Sequence, residues 1–289
     1  MNEGRIIKLI GGVYTVQDLN DRSTHSLRPR GIFRHKNESP KVGDLVRYDE
    51  TLIQEILPRT NELVRPPIVN VDQALLINST KSPNFSAFLL DRFLILAHQA
   101  DIEPIIVINK IDLLGKVAYE KLRDEISHYE KYYRVFYVSA KDPSTLKAFK
   151  EVFEDRLSVL AGQTGSGKSS LLNAIDPSLD LKTGETSKAL GRGRHTTRHT
   201  ELLELCGGLI ADTPGFSKLD FHDIEADELT NYYLDFLERI DGCKFRGCRH
   251  INEPSCAIKK AVEDGEIPKE RYNNYRRIHE ELQAQKKYY

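Results

Sequence analysis

The stretch "GQTGSGKS", Gly162 to Ser169, constrains the fold of this chain more than any other. It fits G-x-x-x-x-G-K-S/T, follows the apolar run "LSVLA" and precedes the helix-like "SLLNAI", so strand, glycine-rich loop and helix stand in the order that a phosphate-binding loop requires. At average residue frequencies the pattern arises by chance on the order of 0.01 times in a chain this long, which sets aside a plain glycine-rich turn. The chemistry asks for these residue types. Gly162, Gly165 and Gly167 let backbone N–H groups approach phosphate oxygens, Lys168 neutralises charge on the terminal phosphates, and the Ser169 hydroxyl ligates Mg²⁺. Gln163, Thr164, Ser166 and Ser170 are expected to line the same nucleotide.

Around this loop the pattern is that of an α/β domain. "QALLINS" (73–79), "PIIVINK" (104–110), "VFYVSA" (135–140) and "LSVLAG" (157–162) are continuous apolar runs separated by helix-like stretches, which predicts a mainly parallel sheet. Residues 1 to 66 differ. There "GRIIKLIGG", "VYTVQDL", "STHSLRPR", "DLVRYDE" and "LIQEILPR" alternate apolar and polar residues between turn signals, and short strands so closely spaced predict an OB-like barrel. Its loop "RPRGIFRHK" is basic with one aromatic, Phe33, which suits either a solvated loop or an RNA contact. The paired prolines of "RPPIVNVD" (65–72) predict an extended boundary segment. Beyond about residue 225 the chain turns helical and charged.

A phosphate loop does not choose between ATP and GTP; the strand ends do. In "NKID", Asn109, Lys110 and Asp112 follow a buried strand, where ligands meet a parallel sheet. An aspartate there accepts two hydrogen bonds from the N1–H and amino group of guanine, a donor pair that adenine lacks. "VSAK" adds Ser139, a backbone N–H from Ala140 for the guanine carbonyl, and Lys141 to cover the base. In "LIADTPGF", Asp212 would hold the Mg²⁺ shell through water and the Gly215 N–H would meet the γ-phosphate. The four elements together read as a GTPase, and an ATPase or kinase conflicts with the first two.

Four cysteines in 289 residues are too few for a disulfide framework, and three crowd into "CKFRGCRHINEPSC". Cys243, Cys248, His250 and Cys256, spaced C-x4-C-x-H-x5-C, would complete a closed tetrahedral Zn²⁺ shell of structural type. Cys206, in "LLELCGG", is expected to be a buried small apolar residue of a strand. The net charge of -1 is unevenly spread: Lys plus Arg against Asp plus Glu is 11 to 9 over residues 1–65, 20 to 27 over 66–242, and 11 to 7 over 243–289. Charge alone fits scattered solvated faces, and equally basic flanks that suit RNA. Lys244, Arg246, Arg249, Lys259, Lys260, Arg276 and Arg277, alongside Tyr272 and Tyr275, are the candidates for that contact. With no run of 18 apolar residues and a charged start, no membrane span or signal peptide is expected, and the chain reads as cytoplasmic.

The order "NKID", "VSAK", "GQTGSGKS", "DTPGF" resembles the circularly permuted GTPases, and the barrel in front with the cysteine cluster behind is similar to those that act in small-ribosomal-subunit biogenesis. The likeness covers essentially the whole chain. It implies a multidomain fold: an N-terminal all-β OB-like barrel (1–66), a central α/β P-loop GTPase domain (67–225) and a C-terminal α-helical zinc-binding domain (226–289). It implies hydrolysis of GTP to GDP and phosphate, stimulated by the small ribosomal subunit late in its maturation, with the subunit and its rRNA as partners, one structural Zn²⁺, Mg²⁺ with GTP, and a monomer. Thr197, by the same resemblance, would cap Mg²⁺ and the γ-phosphate, with Thr196 as the alternative. Phe216 stands where a Ras-like protein has its water-orienting glutamine. A phenyl ring cannot position water, so His195 in "ALGRGRHTTRHT" is the candidate for that task, while a non-catalytic GTP-dependent RNA scaffold is the alternative that Phe216 supports. Permutation would also join the γ-phosphate sensor directly to the C-terminal domain.

Overall fold

A computed structural model describes residues 1–31, 33, 39–64, 66–181, 200–214, 221 and 224–285. Alternating side chains close the first strands on themselves. β1 (Asn2–Ile10), β2 (Val13–Asp18), β3 (Thr24–Pro29), β4 (Leu45–Tyr48) and β5 (Leu52–Ile56) form a closed barrel in the order β1-β2-β3-β5-β4. Ile6, Val16, Leu27, Val46, Tyr48 and Ile53 fill its interior. Phe33 joins the core at 6% exposure, so an aromatic read as a loop residue is buried with the apolar side chains of the barrel and sheet. The proline-marked boundary is folded rather than extended. Glu62–Leu63 (β6) and Ile68–Val69 (β7) pair as a two-stranded hairpin, and Ile68 bridges Val42 of the barrel.

The central sheet runs β10-β9-β8-β11-β13-β12, with β8 (Gln73–Ser79), β9 (Glu103–Asn109), β10 (Arg134–Val138), β11 (Leu157–Ala161) and β13 (Gly208–Pro214) parallel and β12 (Leu202–Leu205) antiparallel at the edge. The apolar runs are continuous because both faces are covered. β8 sends Ala74 and Leu76 to one face, and Leu75 and Ile77 to the other; β9 divides Ile106 and Ile108 from Ile105 and Val107 in the same way. One face packs on α1 (Ala87–Gln99) and α2 (Lys116–Ile126), the other on Phe149, Val152, Phe153 and α3 (Lys168–Ile175). Between β12 and β13, Cys206 (φ 47°) and Gly207 (φ 83°) make the hairpin turn. Cys206 is therefore exposed, not buried: the left-handed turn points it away from the sheet.

After Ala226 the chain forms 3-10 turns through Tyr232, a helical turn Leu234–Leu237, α4 (Ala257–Glu263) and α5 (Lys269–Gln285). These pack a separate core on the outer side of α1, whose Ile95 and Leu96 join Leu229, Tyr233, Phe236, Ile258, Tyr275 and Ile278. At the centre of that contact lies a buried cation. Arg271 of α5, 3% exposed, donates from Nη1 to Asp91 of α1 and from Nη2 to Asp235 Oδ1 at 3.1 Å, while its guanidinium lies 4.2 Å from the Tyr233 ring centroid. Tyr129 and Asn274 donate to Asp91 at 2.7 Å each, and His128 Nε2 lies 2.9 Å from Asp235 Oδ2. Burial alone would raise the Asp235 carboxyl, yet Arg271 and His128 hold it well below the usual carboxylate range.

Two carboxylates buried on one guanidinium make that residue hard to lose. Arg271→Met is expected to destabilise the fold by about 3–5 kcal/mol, because it strands two buried charges. Adding Asp91→Asn and Asp235→Asn should recover much of this, both read as shifts in denaturation midpoint; an unchanged midpoint for Arg271→Met would contradict the account.

Candidate functional site

Parallel strands deliver their C-terminal ends to one edge of the sheet, which is where the sequence motifs lie. Asn109 ends β9, Ser139 to Lys141 follow β10, Gly162 to Gly167 link β11 to α3, and the backbone of Asp212 lies within β13. Register holds these ends level: Ser79 pairs with Asn109, Asn109 with Val138, and Leu160 with Pro214. His195, Thr196, Thr197, Gly215 and Phe216 lie outside the described residues.

The base-side and phosphate-side loops are bonded to each other. Asn109 Nδ2 donates to the Ser166 carbonyl at 3.0 Å, and its Oδ1 accepts from Lys110 N at 2.8 Å. Lys110, held in the left-handed region (φ 64°), donates Nζ to the carbonyls of Ser82 and Gly165, both at 2.6 Å. This closeness dictates two of the glycines. A Cβ on Gly167 (φ 92°) would sit 2.5 Å from Asn109 Nδ2, and one on Gly162 (φ 144°) would sit 2.2 Å from the Ile77 carbonyl oxygen. Thr80, absent from the sequence reading, completes the link by donating to the Lys110 carbonyl at 2.7 Å; the polar "STK" closing an otherwise apolar strand was its only trace.

Asp112 stands at the open end of this arrangement. Its Oδ1 accepts from Ser139 Oγ at 2.6 Å and its Oδ2 lies 3.5 Å from Lys141 Nζ. The Ser139 bond first, and then Lys141, hold the Asp112 carboxyl below its ordinary value, so it is an ionised acceptor near neutrality. Ala140 lies between these two partners, in a bend closed by Asp142 N bonding to the Ser139 carbonyl at 3.1 Å. On the phosphate side, Lys168 Nζ donates to the carbonyls of Gly162 (2.7 Å) and Gln163 (2.8 Å), and burial pushes its ammonium down to about 8. Ser166 Oγ is buried without a hydrogen-bond partner among the described residues. Thr164 and Gly165 are exposed at the loop tip, and Ser169 and Ser170 sit on the first turn of α3, whose N-terminal N–H groups and dipole favour an anion. Such an arrangement has the chemistry to take a phosphorylated ligand along the loop and a hydrogen-bonding base against Asp112.

The second cluster gathers Cys243, Cys248, His250 and Cys256, whose donor atoms all lie within 4.8 Å of one another. His250 Nδ1 sits 3.6 Å from Cys243 Sγ and 3.3 Å from Cys256 Sγ. Burial pushes the Cys248 thiol up to about 12, and its neighbouring thiols add to the shift; a bound cation reverses that balance. Three sulfurs and one imidazole packed this tightly fit a tetrahedral metal with no position left for water. Tyr275 has a different role from the RNA contact expected of it, and Tyr272 shares that role. Tyr275 is fully buried, and the two hydroxyls donate to the carbonyls of His250 (2.7 Å) and Arg249 (2.9 Å), so α5 clamps the cluster loop.

Comparison with known proteins agrees with this architecture. A family model described as RsgA GTPase matches residues 56–222, and one described as RsgA N-terminal domain matches residues 3–55. The small ribosomal subunit biogenesis GTPase RsgA 2 of Oceanobacillus iheyensis is 50% identical over 295 residues, and the RsgA of Bacillus subtilis is 49% identical over 301, each covering 100% of both chains. Among solved structures, YloQ, described as a circularly permuted GTPase, superposes with a TM-score of 0.85 at 44% identity, covering 99% of this chain and 96% of its own. YjeQ from Thermotoga maritima gives 0.87 at 37% identity, covering 97% and 98%.

Two outcomes follow from the site's charges. A bound phosphate raises the Lys168 pKa from about 8, so binding takes up a proton once the free ammonium titrates. Affinity for a nucleoside triphosphate should therefore be level below pH 8 and fall as pH rises past it, approaching tenfold per unit; a fluorescent-nucleotide titration reads this, and Lys168→Arg should flatten the decline. At the second cluster, Cys256→Ser or exhaustive chelation should remove bound metal, measured by elemental analysis, and lower the melting temperature of the C-terminal region. Retention of full stability without metal would argue against a structural ion.

Proposed function

The chain belongs to the RsgA family of GTPases, and we propose that it hydrolyses GTP to GDP and phosphate on the maturing small ribosomal subunit, which stimulates the reaction. The observation that carries this reading is the ionised Asp112 carboxylate on the same sheet edge as the phosphate loop, to which Asn109 and Lys110 tie it. An aspartate so held pairs with the N1–H and amino group of guanine and leaves adenine unsatisfied. Ala140 N–H would take the guanine carbonyl, with Lys141 over the base. Along the loop, Gly162 to Gly167 would offer N–H groups to the phosphates, Lys168 would bind the terminal pair, and Ser169 with Thr197 would hold Mg²⁺, Asp212 acting through water. Mg²⁺ held there would help neutralise the charge that develops on the phosphates. Gly215 N–H would report the γ-phosphate and His195 would position the attacking water.

The remaining assignments belong to the same proposal. The barrel (1–66) and the Cys/His domain (226–289), with Zn²⁺ as its ion, would grip rRNA on either side of the GTPase domain (67–225), and the protein would work in the cytoplasm as a monomer. Phe216 supports a partner-completed site, since nothing at that position can orient water. The test is GTP turnover with and without small subunits. Slow hydrolysis alone, large stimulation by subunits, and a loss of about 10²–10⁴-fold of the stimulated rate in His195→Ala at unchanged nucleotide affinity are expected. Equal turnover with and without subunits would defeat the reading, and absence of single-turnover hydrolysis on the subunit would favour a GTP-dependent scaffold. Asp112→Asn should cost GTP affinity by about 1.5–3 kcal/mol, the worth of hydrogen bonds to a charged group.

A further inference from the structure

The metal cluster carries a short loop that the nucleotide chemistry leaves unused. Lys244 to Gly247 run between Cys243 and Cys248, so both ends of the loop are candidate ligands. Lys244 N also bonds to the Ser255 carbonyl at 3.3 Å, and Gly247 turns the chain at φ 70°. The loop is thus held at both ends. Phe245 stands between them at 43% exposure, the only exposed phenylalanine among the described residues. Lys244 and Arg246 flank it, are exposed, and have no ion-pair partner among the described residues; Lys244 Nζ lies 5.5 Å from the ring centroid. Arg249, past Cys248, is also exposed, and among the described residues its side chain pairs with Asp227 alone, at 3.5 Å.

We propose that Phe245 is a stacking platform for one unpaired nucleobase of an RNA strand, with Lys244 and Arg246 holding the phosphates on either side. The charge pattern selects this occupant. An apolar ring meant for a protein pocket is best rimmed by groups of mixed sign, whereas this ring is bracketed by cations alone, which complement a polyanion that presents a flat aromatic face. Stacking reads no sequence, because every base has a π-face, and a platform on a metal-fixed loop loses little entropy when the base arrives. The inference rests on the small-subunit reading above and adds the contact mode and the residue that makes it.

The test uses the full chain with its metal and measures affinity for small subunits and for protein-free small-subunit rRNA. Phe245→Ala should weaken both by about 5- to 150-fold, the worth of one stacked base, with metal content and subunit-independent GTP turnover unchanged. Phe245→Trp should bind as wild type and Phe245→Leu should lose most of the affinity, because the flat ring and not its apolarity is used. The dependence on salt should keep its slope in Phe245→Ala and flatten when Lys244 and Arg246 are both changed to Gln. Wild-type affinity in Phe245→Ala or Phe245→Leu overturns the proposal. A loss on subunits but not on protein-free rRNA overturns it in favour of a ribosomal-protein contact. If the wild type binds neither, the small-subunit reading falls with it.

Discussion

Parallel pairing of β9, β8, β11 and β13 is the constraint on which the rest of this molecule depends. Each strand leaves the sheet in the same direction, so each motif-bearing loop emerges at the same edge regardless of its place in the chain. The base-side loop precedes the phosphate loop by some fifty residues, yet hydrogen bonds from Asn109 Nδ2 to the Ser166 carbonyl and from Lys110 Nζ to the Gly165 carbonyl join them. Chain order is free to vary because the site needs only that strand ends converge. What cannot vary is the closeness of approach. Gly162 and Gly167 are glycines because the Ile77 carbonyl and the Asn109 amide occupy the space a Cβ would take.

The C-terminal region depends on the sheet through α1, which is buried on both sides. Leu90, Phe93 and Leu94 face the sheet core, and Ile95 and Leu96 face the C-terminal core. Apolar packing alone would let two such bodies slide. Arg271 prevents this by engaging Asp91 and Asp235 from a fixed planar fork, a geometry that a lysine does not reproduce. Such a group adds little net stability over an apolar substitute but specifies one docking pose. The metal cluster is held from the same helix, since Tyr272 and Tyr275 lie one and four residues beyond Arg271.

How much of this was legible in the sequence follows from the range of each interaction. The barrel strands, the buried parallel strands and the phosphate loop are local patterns of period, turn and spacing, and the architecture read from them is the one observed. The Cys/His spacing is local too, and its four donors meet. Arg271 was invisible: it sits in a helix rich in charged residues, and its partner Asp91 is 180 positions away. Tyr275 was misread for the same reason, because a tyrosine among arginines looks like a surface residue until its carbonyl partner at Arg249 is known. Phe33 and Cys206 went the opposite ways from their local cues. One is buried in the apolar core, and the other fell at a hairpin turn set by left-handed backbone conformation.

The two accessory regions attach beside the segments that a GTPase would be expected to move. Lys8 of the barrel pairs with Glu201, its Nζ 2.7 Å from the carboxylate, and Gln17 donates to Glu204 at 2.5 Å, so the barrel rests on β12 just after residues 189–200. Beyond "DTPGF", Phe221 lies 4.3 Å beneath the Arg92 guanidinium, which also bonds Glu281 of α5. Glu201 and Glu204 are thus fixed to the barrel, and Phe221 to a side chain that also holds α5. In the proposed function, a change in the γ-phosphate would pull on the barrel through one attachment and on the Cys/His region through the other.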